Sequence, residues 1–209
     1  METTVSEALL ILASGSPRRR ELLAYFGLPF AIVPSDAEEN ATGPGLERVA
    51  ALARLKGKDV FTRYPNLPVL SADTLVCVDD MVLGKPRDEE DARQMLGSLS
   101  GRCHSVYTGV CLHMPDGAIL ERVDTTRVRF RRLSPGEIDR YIDTGEPMDK
   151  AGAYAMQGVG GIFVERIEGS PTNVIGLPLS TVATLLYAAG FTLADRETKN
   201  QPQITETDV

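Results

Sequence analysis

The sequence predicts an α/β protein in which a mixed β-sheet is flanked by helices. Three patterns point to this class. Short apolar runs alternate with helical periodicity in the first half, two long alternating segments follow each other in the middle, and helical periodicity returns near the end. The length of 209 residues, with 43% hydrophobic and 24% charged residues, suits one domain with a large core.

Charge, cysteine content and hydropathy exclude several classes of function. The net charge of -7 argues against a general nucleic-acid-binding surface, which needs many phosphate contacts from Lys and Arg. Three cysteines without C-x-x-C spacing, Cys77, Cys103 and Cys111, are expected to be reduced core residues. The first residues lack a signal-peptide pattern, and no stretch approaches the ~20 apolar residues of a membrane helix. We therefore expect a cytoplasmic protein with neither membrane nor nucleic acid as a partner.

The segment of residues 9–23, LLILASGSPRRRELL, contains a strand, a tight loop and the start of a helix. Its apolar run is too short for a helix, and Pro17 suits a first helical position. Ser14, Gly15 and Ser16 between them are turn residues, so Ser16 is the expected N-cap.

The start of this helix has the properties of an anion site. Backbone N–H groups lack intrahelical partners there, the helix dipole is positive, and Arg18, Arg19 and Arg20 add charge. The alternative is an ordinary capped helix with solvated arginines, and this segment alone does not decide between the two. Neither the P-loop pattern nor G-x-G-x-x-G after a strand is present, so a phosphate cradle here is of a different kind.

A short strand at residues 30–33 leads into an acidic loop that includes Asp36 and Glu39. These carboxylates form either a solvated loop, which is the commoner case, or oxygen ligands for a hard cation such as magnesium. Residues 46–60 then show the apolar spacing of an amphipathic helix. Its interleaved basic residues, Lys56 among them, receive no role from periodicity alone.

Residues 68–78, PVLSADTLVCV, form an apolar and β-prone run with one ionisable residue, Asp73, in its middle. An unpaired charge in an apolar setting costs several kcal/mol, so Asp73 must be partnered, protonated or exposed at a cleft or strand end. The structural alternative is a turn aspartate bonded to neighbouring backbone N–H groups. We favour an acid–base or metal-binding carboxylate, because perturbed carboxylates beside strands often have these roles.

The return from this strand carries Lys85. Residues 81–83 form the second arm of a hairpin, and Lys85 lies between Gly84 and Pro86 before an acidic helix that runs from residues 88 to 96. Lys85 is either merely exposed or, because it lies near the same strand pair as Asp73, a partner for a carboxylate or a phosphate.

The middle of the chain predicts an antiparallel hairpin. Residues 101–114 and 118–131 alternate between apolar and polar side chains, and a Pro-Asp-Gly turn joins them. His104 and His113 lie in the first of these strands without the spacing of a helical metal pair, so we expect structural or surface roles. No nucleophile elbow G-x-S-x-G is present, which leaves a serine triad with little support.

The last third of the chain predicts two helices, a strand and two loops. A capping box at residues 134–137 starts a helix that runs to residue 143. The expected order after it is an ordered loop at 146–161, a strand at 162–167, a loop at 169–178 and a helix at 179–189. We expect a single domain over residues 1–194, followed by a polar, disordered tail at 195–209.

Several motifs in fixed order resemble the Maf family of nucleoside triphosphate pyrophosphatases, over nearly everything from residue 9 to residue 191. They are ASGSPRR at 13–19, EE at 38–39, LARLK at 52–56, SADT at 71–74, GKP at 84–86, LSGRCHSV at 99–106, EPMDKAGAYAMQG at 146–158 and GLP at 176–178. The resemblance implies an elongated fold similar to that of inosine triphosphate pyrophosphatases, with two lobes and a central cleft. It also implies a divalent cation, Mg²⁺ or Mn²⁺, and a homodimer.

The resemblance also assigns roles to residues. It implies a catalytic carboxylate at Asp73, assisted by Lys56 and Lys85, and a metal site formed by Glu39 and Asp73. The substrate-binding residues implied are Ser14, Ser16, Arg18, Arg19, Thr74 and Gln157. The form DKAGAYxxQG resembles the branch that prefers dTTP and UTP. The sequence departs from relatives at residues 169–173, GSPTN, where others place Tyr, and at Ala155, where Gly is frequent.

These residues predict hydrolysis of a nucleoside triphosphate to the monophosphate and pyrophosphate. The reaction needs a water aligned on the α phosphorus, a base or metal to activate it, and positive charge where pyrophosphate leaves. Gln157 offers a donor and an acceptor on one side chain, which suits the edge of thymine or uracil. The alternatives are a non-catalytic nucleotide or nucleic-acid-binding regulator of cell division, and a phosphatase that releases orthophosphate.

Overall fold

The computed structural model describes residues 4–79 and 81–192, and these contain one mixed sheet of seven strands. The strands are β1 (Leu10–Leu12), β2 (Phe30–Ile32), β3 (Val69–Val78), β4 (Met81–Leu83), β5 (Cys103–His113), β6 (Ile119–Phe130) and β7 (Val164–Glu168). Their order is β2-β1-β3-β5-β6-β7, with β4 beside β3. The β1 strand is parallel to β2 and β3, and the other pairs are antiparallel. The fold class expected from the sequence is confirmed.

Six α-helices within these residues flank the sheet. They are α1 (Pro17–Ala24), α2 (Gly45–Arg63), α3 (Glu89–Leu99), α4 (Pro135–Ile142), α5 (Pro171–Ile175) and α6 (Leu179–Ala188). Short 3-10 turns occur at Val5–Glu7, Glu146–Asp149, Ala151–Ala153 and Val159–Phe163. The Asp88 side chain caps α3, and Ser134 and Glu137 form the expected capping box of α4.

The β3 strand is the element from which the cleft of this molecule arises. It pairs with β5 along one edge from Val69 to Cys77. Its other edge therefore carries both β1, at Val69 and Leu70, and β4, at residues 76–78. Between these two partners, residues 71–75 have no neighbouring strand on that edge. A gap thus opens in the middle of the sheet, and Asp73 lies at its centre.

Side chains of β3 contribute to the cores of two lobes on the same face of the sheet. Leu70 and Ala72 pack in the first lobe with apolar residues of β1, α1 and α6. Val76 and Val78 pack in the second lobe with residues of α3, α4 and β6. Thr74 lies on the same face between the two groups, since side chains alternate along a strand. One continuous strand thus joins the two lobes on either side of the gap.

The α2 helix covers the opposite face of β3 and β5 at unusually close range. A Cβ added at Gly57 would lie 2.6 Å from Ser71 Oγ, and one added at Gly109 would lie 2.6 Å from the Val49 carbonyl oxygen. Ser71 Oγ also donates a hydrogen bond of 2.7 Å to the Ala53 carbonyl. Because glycine removes the steric barrier, the helix approaches the sheet closely enough for its side chains to meet those of β3.

The structure differs from the expected elements in the last third of the chain. Residues 169–178 were expected to form a loop, but Ser170 caps the short helix α5 and Gly176 ends it with a φ of 115°. Five helical residues show too little periodicity to be recognised in a sequence. The expected strand at 162–167 begins two residues later, because a 3-10 turn precedes it. Both α2 and α3 also extend three residues beyond their expected ends.

The cysteines and histidines bear on two further expectations. All three cysteines are free, as expected, and Cys77 and Cys111 are buried, but Cys103 is exposed rather than in the core. His104 and His113 are both buried, so the surface alternative for them is wrong. Among the described residues, no helix has both the length and the apolar character needed to cross a membrane. The tail expected at residues 195–209 lies outside the described residues.

Candidate active site

A cleft of about 700 Å³ lies at the open edge of β3, between the two lobes. Every site residue expected from the sequence contributes to its lining: Ser14, Ser16, Arg18, Arg19, Glu39, Lys56, Asp73, Thr74, Lys85 and Gln157. These residues span more than half of the chain, so the fold brings together groups that are far apart in the sequence. Residues 169–173, where the sequence departs from relatives, are not part of the lining.

The loop after β1 delivers the first turn of α1 to this cleft. The backbone N–H of Ala13 donates to the Leu70 carbonyl, which ties the loop to the start of β3. Ser14 Oγ accepts a hydrogen bond of 3.2 Å from the Ser16 N–H. Ser16 occupies the N-cap position, as expected, but its side chain makes no capping hydrogen bond. The N-terminal N–H groups of α1 therefore face a polar opening, as in helix-based anion sites.

Arg19 is held by three hydrogen bonds from three separate parts of the fold. Its Nε donates to the Gly176 carbonyl at 2.9 Å, its Nη1 to Ser14 Oγ at 3.3 Å, and its Nη2 to Thr74 Oγ1 at 3.1 Å. Burial lowers the pKa of the Arg19 guanidinium below its ordinary value, and the nearby charge of Asp73 opposes this effect. The result is a fixed cation at the first-lobe side of the cleft.

Lys56 joins two carboxylates across the cleft floor. Its Nζ donates to Asp73 Oδ1 at 2.6 Å and to Glu39 Oε1 at 2.8 Å. The Asp73 side chain is only 7% exposed, so this ammonium offsets the cost of burying the carboxylate. Partial burial raises the pKa of Glu39, but the hydrogen bond and charge of Lys56, assisted by Lys85 and Arg19, lower it overall.

The two carboxylates that share Lys56 also fit the donor set of a magnesium or manganese ion. Asp73 Oδ2 and Glu39 Oε2 accept no hydrogen bond from the described residues, so each carboxylate has an oxygen left for a ligand. The described part of the chain contains no group of three or more His, Cys, Asp or Glu side chains suited to a metal. Mg²⁺ usually binds through one or two carboxylates and completes its shell with water and substrate phosphates. Glu39 and Asp73 meet that requirement.

The second-lobe side of the cleft is built from the turns between residues 146 and 163. The Gly152 N–H donates to the Gly84 carbonyl, which places these turns beside Lys85. Tyr154 lines the cleft and its hydroxyl lies 2.9 Å from Nε2 of the buried His104. Gln157 is exposed at the cleft, with no hydrogen bond from its side chain to other described residues. This wall presents polar groups opposite the phosphate-binding loop.

Arg48 is a cleft residue that sequence reasoning did not single out. It lines the cleft with Leu52 and Lys56, at successive intervals of four residues along α2. Its Nε is buried and has no hydrogen-bond partner among the described residues. The signal that could have found it is this spacing, because residues i, i+4 and i+8 share one helix face with Lys56. Which helix face meets the cleft is set only by the packing of α2.

Comparison with known proteins places the chain in a family. The family model described as Maf-like protein matches residues 9–189. A dTTP/UTP pyrophosphatase of Anaeromyxobacter dehalogenans (strain 2CP-C) is 51% identical over 189 residues, covering 88% of this chain and 95% of that protein. The dTTP/UTP pyrophosphatase of Myxococcus xanthus (strain DK1622) is 50% identical over 189 residues, covering 90% of this chain and 95% of that protein.

A solved structure has a similar fold. The Staphylococcus aureus Ham1 protein superposes with a TM-score of 0.53 at 14% identity, covering 86% of this chain and 98% of that one. At this identity the likeness concerns the arrangement of sheet and helices alone. The family assignment rests on the family model and on the half-identical relatives. This chain belongs to the Maf family.

Proposed function

We propose that this protein is a nucleoside triphosphate pyrophosphatase that hydrolyses dTTP and UTP to the monophosphate and pyrophosphate. Its half-identical relatives in Anaeromyxobacter dehalogenans and Myxococcus xanthus are dTTP/UTP pyrophosphatases. One observation of the structure carries the proposal. The Asp73 and Glu39 carboxylates, joined by Lys56, lie in the same cleft as an arginine-held loop that is suited to phosphate.

The positive groups of the cleft suit the binding of a triphosphate. The first turn of α1 offers backbone N–H donors, and Arg19 is already fixed by its hydrogen bonds to Ser14 and Thr74. Arg18 and Lys85 add charge at the cleft wall. In the proposed reaction these groups bind the β and γ phosphates and stabilise the negative charge that builds up on the departing pyrophosphate.

Asp73 is the proposed general base. Water attacks the α phosphorus, the bond between that phosphorus and the bridging oxygen to the β phosphorus breaks, and Asp73 takes the proton from the water. Lys56 binds Oδ1 of this carboxylate, so the two lone pairs of Oδ2 are left for the water and for a cation. The same lysine holds Glu39, so both carboxylates keep a fixed position before substrate arrives.

Glu39 and Asp73 are also the proposed ligands of a Mg²⁺ or Mn²⁺ ion. A bound cation would polarise the phosphoryl oxygens and neutralise part of the substrate charge. Since only two carboxylates are offered, we expect the ion to enter with the nucleotide, whose phosphate oxygens supply further ligands. Metal affinity in the absence of nucleotide should therefore be weak.

Gln157 is the proposed reader of the base. Its amide carries a donor and an acceptor, and thymine and uracil present an N–H beside a carbonyl on one edge. Because both bases share this edge, one side chain accounts for hydrolysis of dTTP and UTP alike. The exposed position of Gln157 at the cleft, opposite the phosphate-binding loop, supports this role.

Product identification tests the proposed reaction. The purified chain is incubated with magnesium and dTTP, and the products are separated by anion-exchange chromatography. Release of dTMP and pyrophosphate is the expected result. Release of orthophosphate would instead indicate a phosphatase, and unchanged dTTP with measurable binding would indicate a non-catalytic regulator.

We further propose that the protein forms a homodimer and acts in the cytoplasm, as its resemblance to the family implies. Light scattering coupled to size-exclusion chromatography measures the mass in solution and distinguishes a dimer from a monomer. Cell fractionation with an antibody against the chain tests its location.

A further inference from the structure

The carboxylate of Glu146 lies behind the second-lobe wall, where it accepts three hydrogen bonds. Its Oε1 accepts from the Tyr141 hydroxyl at 2.7 Å and from the Gly160 N–H at 3.0 Å, and its Oε2 accepts from the Val159 N–H at 3.0 Å. The Tyr141 hydroxyl in turn accepts from the Ala155 N–H at 3.1 Å. We call the Tyr141 and Glu146 side chains together the clasp.

The clasp holds the backbone on both sides of Gln157. Residue 155 is bound to Tyr141, and residues 159 and 160 are bound to Glu146. Gly158 fits because it lacks a side chain, since an added Cβ would collide with the Glu146 carboxylate. The Gln157 side chain is exposed and makes no hydrogen bond to other described residues, so the position of the backbone sets the region that its amide can reach.

A fixed backbone matters for a glutamine that reads bases. Rotation of the amide exchanges its donor and acceptor, so a loosely held glutamine can pair with the edge of cytosine as well as that of uracil. Discrimination requires that the segment hold the amide where only one arrangement fits the base. Neither clasp side chain lines the cleft, so a direct contact with the nucleotide is not needed to explain their effect.

We propose that Tyr141 and Glu146 are positioning residues that set base selectivity by fixing the segment around Gln157. The inference rests on the proposed function, because it concerns how that substrate class is chosen. It adds two residues that act through Gln157 and not through the chemistry at Asp73.

The test is a double-mutant cycle with selectivity as its readout. Tyr141→Phe, Glu146→Gln and Gln157→Ala are made singly, and each clasp change is combined with Gln157→Ala. The ratio of kcat/KM for UTP to that for CTP is measured. The ratio of the dissociation constants of the same two nucleotides is measured separately, in the presence of Ca²⁺. Each clasp change should lower the selectivity about tenfold, the scale of a lost hydrogen bond. In the Gln157→Ala background, the same clasp change should lower the selectivity no further.

Glu137→Gln is the matched control. Glu137 is also a hydrogen-bonded carboxylate of the second lobe, but it binds Ser134 and Arg131 away from the cleft. This change should alter the melting temperature and leave the selectivity ratio unchanged. Melting curves of all variants establish that they are folded.

The outcomes separate the inference from the proposed function. The inference is overturned if folded clasp variants keep the wild-type selectivity ratio. It is also overturned if a clasp change lowers the selectivity by the full amount in the Gln157→Ala background. A Gln157→Ala protein with the wild-type selectivity ratio overturns it as well. A wild-type chain that binds UTP with clasp-dependent selectivity but releases no pyrophosphate contradicts the proposed function and leaves the inference supported. A chain that binds no nucleotide overturns both.

Discussion

The residues of the cleft show how a buried carboxylate can be kept ready for reaction. An isolated charge at Asp73 would be costly, and Lys56 offsets that cost through a contact of 2.6 Å. The same ammonium reaches Glu39, which is more exposed and nearer to solvent. If the negative charge of Asp73 is removed, Lys56 therefore still has Glu39 as a partner. This makes the role of Asp73 separable from the stability of the fold.

Asp73→Asn is expected to abolish turnover while the protein stays folded. The amide keeps the size of the side chain and can still accept a hydrogen bond from Lys56, but it cannot take a proton from water. We expect kcat for dTTP to fall by roughly 10²–10⁴, the usual contribution of a general base. Steady-state kinetics and a melting curve measure the two effects. Turnover within about threefold of wild type would refute the assignment of Asp73 as base.

Arg48 supplies a second prediction at the scale of one side chain. Its buried Nε has no partner among the described residues, and its place in the cleft suits a contact with an acceptor on the nucleotide. Arg48→Ala should raise KM for dTTP by about tenfold or more, the cost of a charge-assisted hydrogen bond. The control is Arg54→Ala on the same helix, since Arg54 pairs with Glu121 outside the cleft. Equal effects of both changes would contradict a specific role for Arg48.

Arg48 and Arg54 show what the sequence does not decide about single residues, namely which basic side chains of α2 face the cleft. The motifs identified ten residues that all line the cleft, Asp73 and Lys56 among them. Arg48, Arg54 and Lys56 are alike in a helical pattern that alternates apolar and basic positions. The choice between them depends on which face of α2 meets β3, and that is decided by packing.

At the scale of elements, the close approach of α2 to the sheet positions Lys56. Gly109 lies opposite Asp73 in the pairing of β3 with β5, and the Val49 carbonyl of α2 lies directly above it. A side chain at this position would push the helix away from the strand that carries Asp73. The contact between the Lys56 and Asp73 side chains therefore depends on the absence of a side chain at Gly109.

Gly109→Ala should lower both stability and activity. We expect a loss of about 1–3 kcal/mol in the free energy of unfolding, as for other overpacked sites, and a fall in kcat as Lys56 moves from Asp73. Gly97→Ala in α3 is the control, because nothing lies within 4 Å of the added Cβ and alanine favours a helix. It should be neutral or stabilising. A Gly109→Ala protein with wild-type stability would show that α2 can shift without cost.

Most elements were predictable because their patterns are long, but for two that build the site the sequence indicated no regular structure. The α5 helix is five residues long, yet its C-terminal carbonyl at Gly176 accepts the hydrogen bond of Arg19 Nε. The turns between residues 146 and 163 lack any periodicity and were expected only as an ordered loop, yet they carry Glu146 of the clasp and Gln157. Short elements of this kind are stabilised by tertiary contacts rather than by local preference, so their sequences carry little signal.

For the whole molecule, the continuity of β3 couples the two lobes. Leu70 and Ala72 belong to one core and Val76 and Val78 to the other, only a few residues apart on one strand. Loss of either core removes support from the strand that the other needs. The position of the gap between β1 and β4 also follows from topology, which no single segment of the sequence reveals. A local perturbation in one lobe should therefore destabilise the whole protein.

The buried His104 allows this coupling to be tested through pH. It lies in the second-lobe core against Phe130 and Tyr154, and burial lowers its pKa from 6.5 to about 4. The unfolded chain therefore binds a proton between these pH values that the folded chain does not bind. The contribution of His104 to the free energy of unfolding should be constant above pH 6.5. It should lower that free energy by about 3 kcal/mol as the pH drops to 4.

His104→Gln should remove this loss, because glutamine can still bond to the Tyr154 hydroxyl but does not titrate. Urea unfolding at a series of pH values between 4 and 7 measures the difference. The slope that remains in the variant above about pH 5 belongs to His113, whose pKa burial also lowers. Below about pH 5 the carboxyl groups with lowered pKa values, such as Glu39, add to the slope, because the unfolded chain then begins to bind their protons. Tyrosine fluorescence and far-UV circular dichroism should report one transition in both proteins, because β3 belongs to both cores. Separate transitions would contradict the coupling of the lobes. Equal acid sensitivity of the wild type and the variant would contradict the role of His104.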